Sequence, residues 1–510
     1  MGIFLYLCTR NDYSGHTMMN ITDYISANRA RFMDEWASLI RIPSVSCEQE
    51  HKPDMQRCAE RWKELLLAAG CQRAEVMPAP TGEGNPFVYG EYEPSIEDFK
   101  ISRFQDFKIS KFQDFKISSD RQSRAKFQDL KMPTVLVYAH YDVMPVAPLE
   151  LWQSDPWEPD IRDGRLYARG ADDDKGQAMI QAKAFEYLVH EGLMNCRVKF
   201  IFEGEEEIGS PSLAAFIEQH KDLLACDVIL VSDTSMIGKQ TPSLTVGLRG
   251  LAYWQIEVDG PCRDLHSGHF GGAVRNPINA LTQMLAQVVD DKGRITIPHF
   301  YDDVLPIPDE ERKMIAQIPF DLDAYKRAID VPDVFGEEGY STLERNSCRP
   351  SFDICGIWGG YTGEGSKTVL PSKAFAKVSC RLVANQDHEK VSRQFAEYMQ
   401  QIAPSGVRVK VTPMHGGQGY ICPLDLPAYK AAEKGFEIAF GKRPLAARRG
   451  GSIPIIAEFE RVLGVKTILM GFGLEQNAIH SPNESMDLEV WEKGIVAVTE
   501  FYKEIAATGC

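Results

Sequence analysis

Short apolar runs alternate along much of this chain with longer stretches whose apolar residues recur every three or four positions. The short runs are too brief for helices and apolar on both faces, as strands of a parallel sheet covered by helices are. They predict strands at Thr134–Ala139, Val198–Phe202, Val228–Val231 and Thr467–Met470, with a helix from about Lys175 to His190 between the first two. An amphipathic helix is predicted in "ITDYISANRARFMDEWASLIRI". The middle of the chain has a different rhythm. "LAYWQIEVDG" and "AKVSCRLVA" alternate with period two, as half-buried strands do. "NPINALTQMLAQVV" has a proline near its first turn, with Ile278, Leu281, Leu285 and Val288 at helical spacing. The expectation is an α/β fold whose mostly parallel sheet carries helices on both faces. That domain is discontinuous, at 19–245 and 418–510, around an α+β domain inserted at 246–417.

One segment breaks the pattern. "FKISRFQDFKISKFQDFKIS" repeats an eight-residue unit from Phe99, and "KFQD" returns at Lys126–Asp129. That period fits neither a helix nor a heptad, and the copies are too few for a solenoid. Residues 96–131 are read as a surface insertion between the strand-like runs "NPFVYGEY" and "PTVLVYAHYD". Surface loops tolerate such insertions at small entropic cost. A partner-binding hairpin is the other reading.

Composition narrows the function. The 510 residues are 44% apolar, an ordinary globular value with room for two or more domains. A formal net charge of −16 argues against a nucleic-acid partner, which needs a basic face. The 12 cysteines form no CxxC pair and read as scattered reduced thiols, hence an expected cytoplasmic location. No apolar run approaches the roughly 18 residues needed to span a bilayer, so no membrane partner is expected. "MGIFLYLCTR" has no basic region before its apolar patch and is a poor signal peptide, and Tyr6 stands where myristoylation wants Ser or Thr. The natural start is expected at Met18 or Met19. No GxxxxGK[ST] motif supports a nucleotide-dependent enzyme.

The chemistry gathers at strand ends. The first predicted strand runs into His140-Tyr141-Asp142, the second into Glu203, Glu205, Glu206 and Glu207 of "EGEEEIGS", the third into Asp233. A loop after the fourth carries His480 in "AIHSPNES". Sites in open α/β sheets form beyond the carboxyl ends of the strands. Imidazole and carboxylate without thiolate is the composition of a divalent-metal site. His140 and Asp142 point the same way in extended chain, so one can bind metal while the other supports it. Glu206 and Glu207 diverge, so one can bind metal while its neighbour moves protons. In "ARGADDDKG", any of Asp172, Asp173 and Asp174 could be a ligand, or all could be a solvated run.

At these residues the sequence resembles the di-zinc metallopeptidase family of carnosinase, cytosolic non-specific dipeptidase, carboxypeptidase G and succinyl-diaminopimelate desuccinylase. The motifs, in order, are "YAHYDVMPV", "LYARGADDDKG", "EGEEEIGS", "VSDT", "DLHSGHFGG", "RRGGSIP" and "IHSPNE". The resemblance runs from about residue 20 to the end, except the repeat insertion, and is nearest the dipeptidase branch. It implies a dipeptidase acting on dipeptides with a free C-terminal carboxylate, with two divalent ions, Zn2+ first and Mn2+ or Co2+ as alternatives. His140, Asp173 and Asp233 would hold one ion, and Asp173, Glu207 and His480 the other. Asp142 would orient His140, and Glu206 would be the general base that takes a proton from a water between the ions and returns it to the leaving amine. A cis peptide would follow the bridging Asp173, Asp174 would shape that turn, and Asp172 is left as the solvated residue.

The resemblance makes 246–417 a lid and dimerisation domain, and the protein a homodimer in which His266 acts in the partner's active site. His269 is not its equivalent. Arg381 would bind the substrate carboxylate, with Thr368, His415, Gly451 and Ser452 nearby. Arg448-Arg449 departs from the Arg-Glu that some dipeptidases have before Gly-Gly-Ser, which bears on recognition of the substrate's amino end. The alternatives are an N-acyl amino acid deacylase or desuccinylase with the same machinery, or a non-catalytic binding protein on the scaffold. If 96–131 is a passive insertion, its deletion leaves folding and turnover intact, checked by circular dichroism and a dipeptide assay. Loss of either would overturn that reading.

Overall fold

The computed structural model describes residues 18–80, 82–95, 132–451 and 453–509. The repeat at 96–131 and the residues before Met18 lie outside these. The described chain forms two compact units. One gathers the described residues of Met1–Ile208, Lys430–Arg443 and Phe472–Cys510, the other Gly209–Tyr429 and Pro444–Gly471.

The first unit opens with helices α1 (Ile21–Ile40) and α2 (Lys52–Ala69). Strands β1 (Arg73–Met77), β2 (Phe87–Tyr92) and β3 (Thr134–His140) follow, then helix α3 (Lys175–His190) and strand β4 (Arg197–Glu203). The strands lie in the order β1-β2-β4-β3. β4 pairs antiparallel with β2 and parallel with β3, from Thr134↔Arg197 to His140↔Glu203. Every residue of β3 is buried, as its uninterrupted apolar run requires. The two strands predicted here, Thr134–Ala139 and Val198–Phe202, were each one residue too short at this end. The apolar runs stop at Ala139 and Phe202, whereas the ladder continues into His140 and Glu203. The polar residues that end the apolar pattern are still strand.

Helix α3 joins the two parallel strands and is buried from Lys175 to Leu188. Phe185 packs edge-on against Phe200 of β4, and Trp62 of α2 against Phe202. On α3's far side, Trp36 of α1 stacks on Trp491 of helix Leu488–Thr508, ring centroids 5.2 Å apart. A helix enclosed this way has no solvated face for its cations. Lys175 therefore donates to the carbonyls of Leu39 and Ile42 at 3.0 and 2.9 Å, and Lys183 pairs with Glu35 and Glu186.

In the second unit, β5 (Val228–Val231) and β6 (Ser243–Leu248) precede the long strand β7 (Gly250–Asp259) and helix α4 (Pro277–Leu285). Then come β8 (Ser351–Gly359), β9 (Lys373–Leu382), helix α5 (His388–Gln401) and β10 (Arg408–Gly417), followed by β11 (Leu445–Arg449) and β12 (Thr467–Leu469). β12 pairs parallel with β5, and β11 parallel with β6. β8, β9, β7 and β10 form an antiparallel four-stranded sheet. Burial alternates strictly along β7 and β9. Trp254, Ile256, Val258 and Val378 face a core shared with Leu281 of α4 and Phe395 of α5. The result is a mixed α/β fold with parallel pairing at its central strands, as the patterning predicts. No helix among the described residues is long and apolar enough to cross a membrane, and the ten described cysteines form no disulfide.

One glycine fixes how α3 begins. A Cβ on Gly176 would lie 1.9 Å from the Ala171 carbonyl oxygen and 2.7 Å from the Trp36 ring. The turn before α3 thus folds back onto the helix where only hydrogen fits. Gly176→Ala is expected to cost about 1–3 kcal/mol of stability, read from the urea midpoint. An unchanged midpoint would show that the turn relaxes freely.

Candidate metal centre

β3 delivers His140 to the end of the sheet almost fully buried, and Asp142 follows with no exposed surface. The imidazole Nδ1 donates to the backbone carbonyl of Asp142 at 3.1 Å. That places a proton on Nδ1 and leaves Nε2 as the atom able to bind a cation. Nε2 faces Asp173 Oδ1 at 3.0 Å. The Asp142 carboxylate has a second task. It accepts the N–H groups of Glu206 and Glu207 at 3.2 and 3.1 Å, tying the turn after β4 to the end of β3.

Of the four glutamates after β4's apolar run, two have structural partners. Glu203 accepts from the Tyr138 hydroxyl at 2.6 Å, and Glu205 accepts the Asn85 N–H at 2.8 Å. Glu207 reaches His480, its Oε2 lying 3.1 Å from Nε2. Asp173 Oδ2 meets the same Nε2 at 2.9 Å. His480 sits at φ +60, a left-handed turn that presents its ring. Asp173, Glu207 and His480 thus offer ligand atoms all within 4.8 Å of one another.

The three successive aspartates differ. Asp173 faces both imidazoles, one through each carboxylate oxygen. Asp174 is fully buried and accepts the His140 backbone N–H at 3.2 Å, and the Asp173–Asp174 peptide is cis. The expectation of a solvated Asp172 is corrected. Its side chain is buried and accepts from the Asn477 amide at 2.7 Å. The turn packs inward at all three positions because its backbone donors are taken up by a buried acid, Glu484. Glu484 accepts the N–H groups of Gly170, Asp172 and Asp173.

Charge follows from these contacts. Burial pushes the Asp173 carboxyl up, but hydrogen bonds from His140 and His480 outweigh it and hold the group below the usual carboxylate range. Burial pushes Glu207 up to about 7, against the pull of His480. Hydrogen bonds to Asp173 and Glu207 raise His480 to about 10. Glu206 is raised by burial, with Asp173 and Asp142 adding to the effect. A proton on His480 therefore sits where two carboxylates converge, as a cation would. The donor set of imidazole and carboxylate suits Zn2+, Mn2+ or Co2+.

The remaining candidates lie in the second unit. Asp233 follows β5, half-buried. His266 is exposed, accepts the Gly268 N–H at 3.0 Å and stacks on His269. Its strand pairs with Val369, and the Thr368 carbonyl accepts the Ser267 N–H at 3.1 Å. Arg381 is on the outward face of β9, opposite Leu251, while Val378, Cys380 and Leu382 face inward. His415 stacks on Tyr253, which is on the outward face of β7. Gly451 is exposed, and Ser452 lies outside the described residues. Arg448 is paired with Glu311, and Arg449 donates to the Ser235 carbonyl at 2.6 Å. Reading by sequence missed Glu484 and Asn477 as organisers of the site. Glu484's place within "IHSPNE" was its only signal.

Comparison with known proteins places these features in company. The model of peptidase family M20/M25/M40 matches residues 136–504. The Cys-Gly metallodipeptidase dug1 of Schizosaccharomyces pombe is 33% identical over 386 residues, 74% of this chain and 81% of that protein. The Beta-Ala-His dipeptidase of Homo sapiens is 33% identical over 381 residues, 73% of this chain and 75% of that protein. The solved structure of the dipeptidase Dug1p from Saccharomyces cerevisiae superposes with a TM-score of 0.74 at 26% identity, covering 98% of this chain and 100% of that one.

Metal binding to this set must displace the His480 proton and, below about pH 7, the Glu207 proton. Affinity for Zn2+ is therefore expected to fall by at least about tenfold between about pH 8 and about pH 6. Competition with a chromophoric chelator at constant ionic strength measures this, and a flat profile would contradict the assigned ligands.

Proposed function

This chain belongs to peptidase family M20/M25/M40, and we propose that it is a metal-dependent dipeptidase acting on dipeptides with a free C-terminal carboxylate. The observation that carries the reading is Asp173, whose two carboxylate oxygens each meet a different imidazole, His140 at 3.0 Å and His480 at 2.9 Å. A carboxylate so placed would suit the holding of two cations. The dipeptidase names of the relatives support the substrate class. We take Zn2+ as the native ion, with Mn2+ or Co2+ as alternatives, in two sites. Asp173, Glu207 and His480 make one ligand set, and the resemblance assigns Asp233 to the other with His140 and Asp173.

When bound, divalent ions supply Lewis acidity towards a peptide carbonyl and acidify water. The chain's own residues do the rest. Asp142 holds both the His140 ring and the backbone of the Glu206–Glu207 turn. Glu206 takes the proton of the attacking water and delivers it to the leaving amine. Its carboxyl is raised by burial, which strengthens it as a base near neutral pH. Arg381 would grip the substrate carboxylate in bidentate fashion, with Thr368, His415, Gly451 and Ser452 as nearby contacts. His266, on its exposed turn, would supply a donor to the oxyanion in the partner subunit of a homodimer. The lid and dimerisation domain would comprise 246–417, with 19–245 and 418–510 as the catalytic domain. A cytoplasmic location fits the reduced thiols.

Glu206→Gln is expected to bind Zn2+ as the wild type does and to lose kcat by about 10²- to 10⁴-fold. Near-normal turnover in that variant would remove Glu206 as the base. A panel of dipeptides against N-acetyl and N-succinyl amino acids separates the dipeptidase reading from the deacylase one. Preference for the acyl substrates would replace it.

A further inference from the structure

The turn carrying the three aspartates is anchored from outside itself. Glu484 is fully buried. Its Oε1 accepts the N–H groups of Asp172 at 2.9 Å and Asp173 at 3.1 Å. Its Oε2 accepts the Gly170 N–H at 3.1 Å and Arg169 Nη1 at 2.7 Å. A carboxylate offers about four lone-pair sites, and one short turn takes all of them. The Glu484 carbonyl adds a bond from the Ala168 N–H at 3.1 Å. Arg169 is itself buried, donates to the Pro145 carbonyl at 3.0 Å and lies over the Trp152 ring.

Glu484 also stands four residues after His480. The chain between and just after them is held in place independently. Asn483 accepts the Gln153 N–H and donates to the Leu151 carbonyl, both at 2.8 Å. Ser485–Asp487 pairs antiparallel with Arg165–Tyr167. One loop therefore brings both His480 and the acid that holds the backbone of Asp173. A link made of protein alone joins Asp173 to His480.

We propose that Glu484 is a positioning residue that sets Asp173 against His480 and thereby sets the affinity of the metal centre. The proposal rests on the reading of Asp173, Glu207 and His480 as metal ligands. A buried acid could also serve folding alone. The two roles part in a folded variant, where only positioning changes metal affinity.

The test uses the full chain, stripped of metal by dialysis against chelator, as wild type, Glu484→Gln and Glu484→Asp. Gln turns an N–H2 towards one pair of donors, while Asp keeps the charge but draws it back by about 1.5 Å. Circular dichroism and thermal melting report folding, and chelator competition reports Zn2+ affinity. The expected result is at least one folded variant with Zn2+ affinity lowered about 10- to 100-fold, as for other groups that hold metal ligands. Added Zn2+ then restores kcat in part, with KM for dipeptide changed less than about twofold. Folded variants that bind Zn2+ like the wild type would overturn the proposal. So would failure of both variants to fold, which would make Glu484 structural. A wild type that binds no Zn2+ would sink the metal reading, and this proposal with it.

Discussion

One carboxylate has to face two imidazoles at once, and the first unit is arranged around that demand. Asp173 is buried, flanked by two more buried aspartates, and its neighbours would repel it if left unpaired. Each acid is instead given its own partner. Asp172 takes the Asn477 amide, Asp174 takes the His140 N–H, and Asp173 is left to the two histidines. The parallel register that sets His140 beside Glu203 brings the turn after β4 to the same sheet end. The Asp142 carboxylate then joins the two. Removing any of these supports leaves a buried polar group without its partner, which costs more than the lost contact alone.

The helix behind the turn supplies rigidity. α3 is enclosed by sheet on one side and by the Trp36–Trp491 stack on the other, so it has little freedom to shift when the turn at its start is loaded. The outward face of the four-stranded sheet in the second unit is built differently. There, strict alternation sends Val378 and Cys380 inward and leaves Arg381 half-buried on the outward side.

Legibility followed the range of the interactions. The strands, the α3 helix and the outward face of Arg381 come from patterns a few residues long, and the sequence carries them openly. The placing of His140, Asp142, Glu206 and Glu207 at strand ends is almost as local. Which aspartate meets the imidazoles was open to residue-level reasoning and needed the family resemblance. The burial of Asp172 was misread because its partner, Asn477, is 305 residues away, and the fourfold grip of Glu484 reaches back across a similar span. A run of acids looks solvated until the chain is known to return over it.

The buried Lys175 has a consequence for the charge of the site. Its ammonium is turned away onto the carbonyls closing α1, so it neutralises none of the aspartates it follows. Around Asp173 the acids outnumber the bases, since Asp142, Asp172, Asp174, Glu206, Glu207 and Glu484 all lie nearby. Burial and mutual repulsion raise Asp172, Asp174, Glu206, Glu207 and Glu484 towards their neutral forms, so Asp173, held down by the two imidazoles, is the acid kept ionised. A cation entering this crowd meets protons it has to release, so filling the site acidifies the solution around it.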